Sequence, residues 1–133
     1  MKVLQPPGWT RPKGYSNGIA AKGGTTVFVA GQIAFNAHNV IEEKTFAGQF
    51  RQSLKNTLSV LAQAGARPEH IVRMTWYVTD KKEYLGAIAE VGAAYRELVG
   101  RHYPAMAVVQ VAGLMEDAAK LEIETTAVLP DDA

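Results

Sequence analysis

The sequence predicts an α+β fold with the element order β-β-α-β-α-β-β, in which two helices cover one face of a sheet. Two observations lead to this prediction. β-branched runs lie toward both ends of the chain, and two stretches between them repeat apolar residues at the three- and four-residue steps of an amphipathic helix. No repeat or linker divides the chain, so we expect a single domain over residues 1–133.

Two strands are predicted before the first helix. Residues 25–30 (Thr-Thr-Val-Phe-Val-Ala) are mostly β-branched and lie between glycines, and residues 19–22 are the predicted partner strand. Gly23 and Gly24 between them suit a tight hairpin turn. Residues 1–13 are rich in proline and glycine and are predicted to form an extended arm.

Both helices carry end signals. Thr45 is a predicted N-cap and Gly65 a predicted end for the first helix, while Asp80 and Gly100 bound the second. The first predicted apolar stripe is Phe46, Phe50, Leu54, Thr57, Leu58 and Leu61. The second is Leu85, Ile88, Val91, Tyr95 and Leu98.

Three further strands are predicted, over residues 71–79, 105–111 and 120–128. In the first of these, Trp76 alternates with Met74 and Val78, which places large apolar groups on one side of the strand. A sheet with two apolar faces needs a cover on each, so we expect the helices on one face and another subunit on the other. The alternative is a less clean alternation of the two faces.

Composition excludes several classes of function. Hydrophobic residues make up 47% and charged residues 20% of the chain, which is typical of a globular protein, and the net charge of +1 indicates neither a nucleic-acid nor a membrane partner. The chain has no cysteine, and its three histidines are widely spaced, so we expect no disulfide, no metal site and no cofactor. The first residues lack the apolar stretch of a signal peptide, and a cytoplasmic protein is expected.

The C-terminal part of the chain carries the most specific pattern. An apolar run from Tyr103 to Leu114 begins Tyr-Pro-Ala-Met, and a second run reads Lys-Leu-Glu-Ile-Glu at residues 120–124. Glu122 and Glu124 alternate with apolar residues, so both carboxylates share one strand face. That face is either solvated or part of a site.

Together with two earlier segments, this pattern resembles the Rid family, also called YjgF or UK114. Gly14-Tyr15-Ser16 resembles its Gly-Pro-Tyr-Ser start, Ala30-Gly31-Gln32-Ile33 its Ser-Gly-Gln-Ile turn, and Pro104-Ala105-Met106 its Pro-Ala-Arg strand start. The resemblance spans residues 14–129. It implies a chorismate-mutase-like sandwich, a homotrimer with pockets between subunits, and hydrolysis of reactive enamines or imines to 2-keto acids and ammonia.

The resemblance also implies roles for individual residues. Glu122 corresponds to the carboxylate that orients water or handles protons, Gly31 offers backbone contacts at the pocket rim, and Tyr15 forms an aromatic wall reached from the neighbouring subunit. Met106, Ala107 and Val108 complete the substrate-binding set. Two structural alternatives stand beside these roles: Tyr15 only pins the arm, and Gly31 only supplies a turn with positive φ.

The departures from the family pattern change the expected ligand. Met106 replaces the arginine that pairs with a substrate carboxylate, and a thioether cannot do so. Ala30 occupies a position where many family members have serine, and Val108 one where cysteine is common. Residues 88–92 lack an asparagine that many deaminases of the family have. The pattern therefore predicts a more apolar pocket and a less acidic ligand. An endoribonuclease role, carried by some family names, finds no basic aromatic surface in this sequence.

Another cation would restore carboxylate binding if it reached the pocket. The candidates are Arg51, Arg73, Arg101 and His102. Arg101 lies five residues before Met106, roughly 16 Å along an extended strand, and Arg73 is expected to be an ordinary exposed charge.

Three functions remain open on the sequence. The first is a Rid-type imine hydrolase with a diverged pocket, the second a trimeric module that binds a small ligand without turning it over, and the third a partner-binding trimer with vestigial clefts. Retention of Tyr15, Gly31 and Glu122 favours the hydrolase.

Overall fold

A computed structural model describes residues 1–131. The strands are β1 (Lys2–Leu4), β2 (Gly18–Ala20), β3 (Thr25–Gln32), β4 (Ile71–Val78), β5 (Ala105–Gln110) and β6 (Leu121–Leu129). The helices are α1 (Phe46–Gln63), α2 (Lys81–Gly86) and α3 (Ile88–Leu98), and a 3-10 turn (Pro68–His70) leads into β4.

The main sheet has four strands in the order β3-β6-β4-β5. β6 is antiparallel to both β3 and β4, whereas β5 runs parallel to β4 at the free edge of the sheet. The helices α1 and α3 pack against each other, and their buried residues form one apolar core with a single face of this sheet. The predicted α+β sandwich is confirmed.

The predicted pairing of the first two strands is wrong. β2 pairs with β1, with Val3 opposite Ile19, and not with β3. Part of the predicted arm is therefore a strand. Gly23 and Gly24 do adopt positive φ, but a β-carbon on Gly24 would lie 2.9 Å from the carbonyl carbon of Leu129, so this glycine permits the chain to cross the end of β6.

The first helix begins and ends where its capping residues predict. The Thr45 Oγ1 accepts a hydrogen bond from the Gly48 backbone N–H at 3.0 Å, and Gly65 follows the last turn with a φ of 74°. Five of the six stripe residues are buried, and Leu58 is partly buried against them. This prediction is confirmed because the helix period and both caps are local signals.

The second predicted helix is instead two helices. Ala87 has φ −105° and ψ 8°, which ends α2 and begins α3. Leu85 and Ile88 flank this break and are 50% and 51% exposed, so their predicted burial is wrong. Val91 and Tyr95, which lie wholly on α3, are buried as predicted.

The two sheet faces differ more than the sequence predicts. Met74, Trp76 and Val78 are buried beneath the helices, so Trp76 needs no second subunit to cover it. On the opposite face, which we call the outer face, β4 presents polar residues, and the exposed large apolar groups are Phe28 of β3 at 78% exposure and Val109 of β5 at 40%. The expectation of two apolar faces is therefore wrong for the centre of the sheet.

An ion pair joins the two long helices. The terminal nitrogens Nη1 and Nη2 of Arg51 on α1 donate to the carboxylate of Glu97 on α3, at 2.6 and 2.8 Å. These hydrogen bonds, followed by the positive charge itself, hold the pKa of Glu97 below its ordinary value. A lowered folded-state pKa stabilises the protein above the unfolded pKa, and this contribution is lost as the pH falls through the folded pKa.

We therefore expect Glu97→Gln to lower the melting temperature slightly near neutral pH and to have a smaller effect near pH 3, because the ion pair weakens as the wild-type carboxyl takes up a proton. The effect is small because both side chains are substantially exposed. Calorimetry at the two pH values measures it, with Glu116→Gln in a loop as the control. An equal shift at both pH values would contradict the ion-pair explanation.

Candidate functional site

A cavity of about 450 Å³ lies between the β5 edge and the helices α2 and α3. Its size is that of a pocket for a small organic molecule. Five of its thirteen lining residues are aromatic: Tyr15, Trp76, Tyr84, Tyr95 and Tyr103. Two cations, Lys13 and Arg96, also line it, and among residues 1–131 no carboxylate does.

The aromatic wall is packed in advance of any ligand. The ring of Trp76 lies 6.5 Å from Tyr84 at a nearly perpendicular angle and 6.3 Å from Tyr95. Tyr95 in turn stacks on Tyr103 at 5.6 Å. Edge-to-face and stacked pairs of this kind restrict one another, so the cavity offers fixed ring surfaces.

The buried tyrosines contribute no negative charge. Burial raises the pKa of Tyr84, and burial followed by the neighbouring Tyr103 raises that of Tyr95. Both phenols are therefore protonated at neutral pH. The Tyr95 hydroxyl donates to the carbonyl of His102, which anchors α3 to the segment before β5.

Tyr15 reaches the cavity of its own chain. The Ser16 backbone N–H donates to the Pro104 carbonyl at 2.9 Å, and the Ser16 hydroxyl donates to the Tyr103 carbonyl. These bonds fix the segment around Tyr15 beside the start of β5. The structure thus places Tyr15 next to Met106 of the same chain, whereas the resemblance implied that it reaches over from a neighbour.

The predicted site residues divide between the two faces of the sheet. Met106 and Val108 line the cavity, and they lie opposite Met74 and Trp76 in the parallel β4–β5 register. Ala107, which alternates with them, lies on the outer face. Glu122 pairs with an outer-face residue of β4 and does not line the cavity.

Gly31 belongs with Glu122. A β-carbon on Gly31 would lie 2.6 Å from the Glu122 Cδ, so the carboxylate packs directly over the glycine backbone. Gly31 is not among the glycines with positive φ, so the explanation of Gly31 as a left-handed turn residue is wrong. A larger residue at position 31 would displace the Glu122 carboxylate, and this contact between distant residues is a signal that no local sequence rule contains.

A second carboxylate lies beside this pair on the outer face. The Tyr77 hydroxyl donates to Glu124 Oε1 at 3.3 Å. The charge of Glu124, followed by partial desolvation, raises the pKa of Tyr77. Glu124 is exposed and occupied by this bond, whereas Glu122 is half-buried against Gly31. The two carboxylates that the sequence places on one face therefore have different surroundings.

None of the four cations proposed as substitutes for the missing arginine lines the cavity. Arg51 is paired with Glu97, the His102 ring is hydrogen-bonded to the Ile71 carbonyl at 2.6 Å, and both Arg73 and Arg101 are exposed elsewhere. Sequence reasoning missed Arg96 and Lys13. For Arg96 a signal existed, since it follows the buried Tyr95 of the α3 stripe and lies one turn after Gly92.

The described residues contain neither a metal-binding cluster nor a membrane-spanning helix. Among residues 1–131, no group of three or more metal-binding side chains is close enough together to hold an ion. None of the helices in the same range has both the length and the apolar character needed to cross a bilayer.

The sheet order and the edge cavity define a small α+β protein with a cavity large enough for a small organic molecule. Residues 10–129 match the family model described as Endoribonuclease L-PSP. A RutC family protein of Synechocystis is 34% identical over 133 residues, covering 98% of both chains. The 2-iminobutanoate/2-iminopropanoate deaminase of Escherichia coli is 34% identical over 108 residues, covering 79% of this chain and 80% of the relative.

Solved structures agree with these relatives. YyfB of Yersinia pestis, a Rid family protein, superposes with a TM-score of 0.83 at 33% identity and covers 96% of this chain and 98% of its own. Escherichia coli TdcF with bound serine superposes with a TM-score of 0.68 at 32% identity and covers 97% of this chain and 99% of its own. The chain belongs to the Rid family, also called YjgF or UK114, as its sequence motifs predict.

Proposed function

We propose that this protein hydrolyses a reactive imine or enamine to a carbonyl compound and ammonia. The observation that carries the proposal is the Glu122 carboxylate, which lies against the backbone of Gly31 and matches the family's apolar-Glu-Ile motif. The Escherichia coli relative named as an iminobutanoate and iminopropanoate deaminase supports the reaction class.

In the proposed reaction, water adds to the carbon of the C=N bond while Glu122 accepts a proton from it. The new C–O bond forms as the π electrons move to nitrogen, which takes up a proton from solvent and gives a carbinolamine with one hydroxyl and one amino group. Glu122 then passes the proton it accepted to the amino nitrogen, and the C–N bond breaks with its electrons on nitrogen. Ammonia leaves, and the hydroxyl loses its proton to solvent to give the carbonyl. Because an imine is already reactive, positioning of water and substrate supplies most of the required rate enhancement.

The site requires two copies of the chain. Met106 on β5 and Glu122 on β6 are separated by β4, roughly 10 Å at ordinary strand spacing, and their side chains leave opposite faces of the sheet. One ligand cannot contact both within a single chain. We propose a homotrimer in which the cavity of one copy faces Gly31 and Glu122 of the next, an arrangement that would also cover the exposed Phe28.

The first test uses imino acids generated in situ by an amino-acid oxidase from alanine, leucine and phenylalanine. Wild-type protein should speed the release of keto acid and ammonia from at least one of them. Met106→Arg should increase the rate with the alanine-derived imine by about tenfold, because a bidentate carboxylate contact is gained. Met106→Leu is the control for a change of shape alone.

Two outcomes would contradict this proposal. Failure of the wild type to accelerate any of the three reactions would remove the hydrolase function. Equal rates for Met106→Arg and Met106→Leu would contradict the expected gain and show that an arginine on β5 does not reach the carboxylate of the alanine-derived imino acid.

A non-catalytic binding protein is the second candidate, because no carboxylate of residues 1–131 lines the cavity of a single chain for proton transfer. This candidate requires ligand-dependent stabilisation with no turnover. It also requires that Glu122→Gln leave ligand affinity and biological effect unchanged.

A further inference from the structure

We propose that Arg96 binds the anionic group of the ligand, and that the ligand is a carboxylate carrying a planar apolar group, of the kind formed from an aromatic amino acid. The proposed ligand class rests on the residues that line the cavity. Turnover of such a ligand rests on the proposed hydrolase function. The cation would then reach the ligand from α3, while the family's arginine position on β5 holds Met106.

The charges of the cavity favour an anion. Its two charged lining residues, Lys13 and Arg96, are both positive, and within residues 1–131 no acidic residue shares the lining. Arg96 also forms no ion pair in that range, in contrast to Arg51 and Arg67, which pair with nearby glutamates. Arg96 is itself exposed, so its attraction for a carboxylate comes from its charge and from the bidentate geometry of a guanidinium, without help from burial.

Gly92 positions the guanidinium on the cavity wall. It precedes Arg96 by one helical turn and also lines the cavity, and the position of a β-carbon on Gly92 lies 3.2 Å from the Arg96 Nη1. The arginine therefore lies along the helix over the glycine. A larger residue at position 92 would compete for this space.

The remaining wall suits an apolar planar group. Trp76, Met106 and Val108 lie on adjacent strands and form a continuous apolar surface below the tyrosines. A thioether is a favourable neighbour for an aromatic ring, whereas an arginine in the same place would bring a second charge into contact with it. The loss of the strand arginine and the cation on α3 are thus consistent with one ligand bound by its ring on β5 and by its carboxylate at α3.

The position of Arg96 changes the ligand that Met106 alone predicts. Met106 alone predicts a less acidic ligand, but the structure shows that a cation is retained at a different position on the cavity wall. The expected change is therefore in the size and aromatic character of the ligand, and its acidity is kept.

Binding of two probes to the full-length protein tests this. Phenylpyruvate carries both a ring and a carboxylate, and phenylacetone carries the ring and a ketone without the charge. We expect titration calorimetry to show that Arg96→Gln weakens phenylpyruvate binding by about tenfold or more and changes phenylacetone binding by less than about twofold. Arg96→Lys should give an intermediate affinity for phenylpyruvate, since it keeps the charge and loses the bidentate contact.

Arg101→Gln is the matched control, because Arg101 is an exposed arginine close in sequence that does not line the cavity. It should leave both affinities unchanged. The inference is overturned if Arg96→Gln binds phenylpyruvate as tightly as wild type, if wild type prefers phenylacetone, or if neither probe binds. Melting temperatures of all variants confirm that each is folded.

The same titrations on the Glu122→Gln protein separate this inference from the hydrolase proposal. In the proposed assembly Glu122 acts on water and Arg96 on the anionic group, and glutamine keeps the shape of the side chain, so the preference for phenylpyruvate over phenylacetone should persist although turnover is lost. If wild type prefers phenylpyruvate to phenylacetone but hydrolyses no imine, the hydrolase function is rejected and the proposed ligand class stands. If Arg96→Gln hydrolyses imines as fast as wild type, the proposed ligand class is rejected and the hydrolase function stands.

Discussion

Replacing Phe50 by alanine is expected to lower the free energy of unfolding by about 3–5 kcal/mol, the cost of removing a fully buried phenylalanine from a close-packed core. Phe50 has no exposed surface and projects from α1 onto Trp76, with ring centroids 4.8 Å apart. The change would leave a void behind the aromatic wall. It would remove much of the total stability of a domain of this size.

Urea unfolding, followed at several protein concentrations in case the chain assembles, measures this effect. Val60→Ala is the matched control on the same helix: Val60 is 40% exposed, and alanine favours the helix. We expect it to change stability by less than about 0.5 kcal/mol. Equal destabilisation by the two substitutions would show that the helix is not packed on the sheet in this register.

Phe50 also shows why this part of the fold is predictable. The α1 stripe repeats with the helix period, a threonine caps one end and a glycine follows the other, so three local signals agree. β4 is similarly clear, because an unbroken run of strand-forming residues without glycine or proline has few alternatives.

The errors in the fold have non-local causes. Gly23 and Gly24 signal a hairpin, but the partner of β2 is chosen by the distant strand β1, and turn chemistry alone does not specify it. The break at Ala87 follows Gly86, a weak helix former, but a single glycine inside an apolar helical stripe does not by itself predict where a helix ends.

The sequence predicts which residues belong to the candidate site but not how they are arranged in space. Tyr15, Met106 and Val108 do meet at one cavity, whereas Gly31 and Glu122 meet on the other face of the sheet. Alternation along a strand assigns each residue to a face, but the face that carries the cavity is known only once the helices are placed. The sequence places Arg96 beside the predicted apolar stripe of α3, but its position relative to Met106 depends on tertiary structure.

Glu122→Gln is expected to lower the turnover of the imine identified for wild type by about 100-fold or more, since an amide cannot accept a proton from water. Glutamine keeps the shape of the side chain over Gly31, so KM and melting temperature should change little. Glu124→Gln is the matched control: it removes a carboxylate two residues away on the same face, one already bound by Tyr77, and should retain nearly full activity. Equal losses from both would indicate a general electrostatic effect of the outer face.

A complementation experiment then decides whether this carboxylate acts across a subunit boundary. Val108→Trp fills the cavity while leaving Glu122 intact, and Val108 is exposed enough to accept a larger side chain. Each variant alone should be inactive. In trimers reassembled from equal amounts of Glu122→Gln and Val108→Trp, a site regains function only when an open cavity faces an intact carboxylate, which gives about a quarter of wild-type activity for a heterologous interface. If mixed trimers form and remain inactive, the carboxylate and the cavity do not combine across subunits, and the two-copy site is wrong.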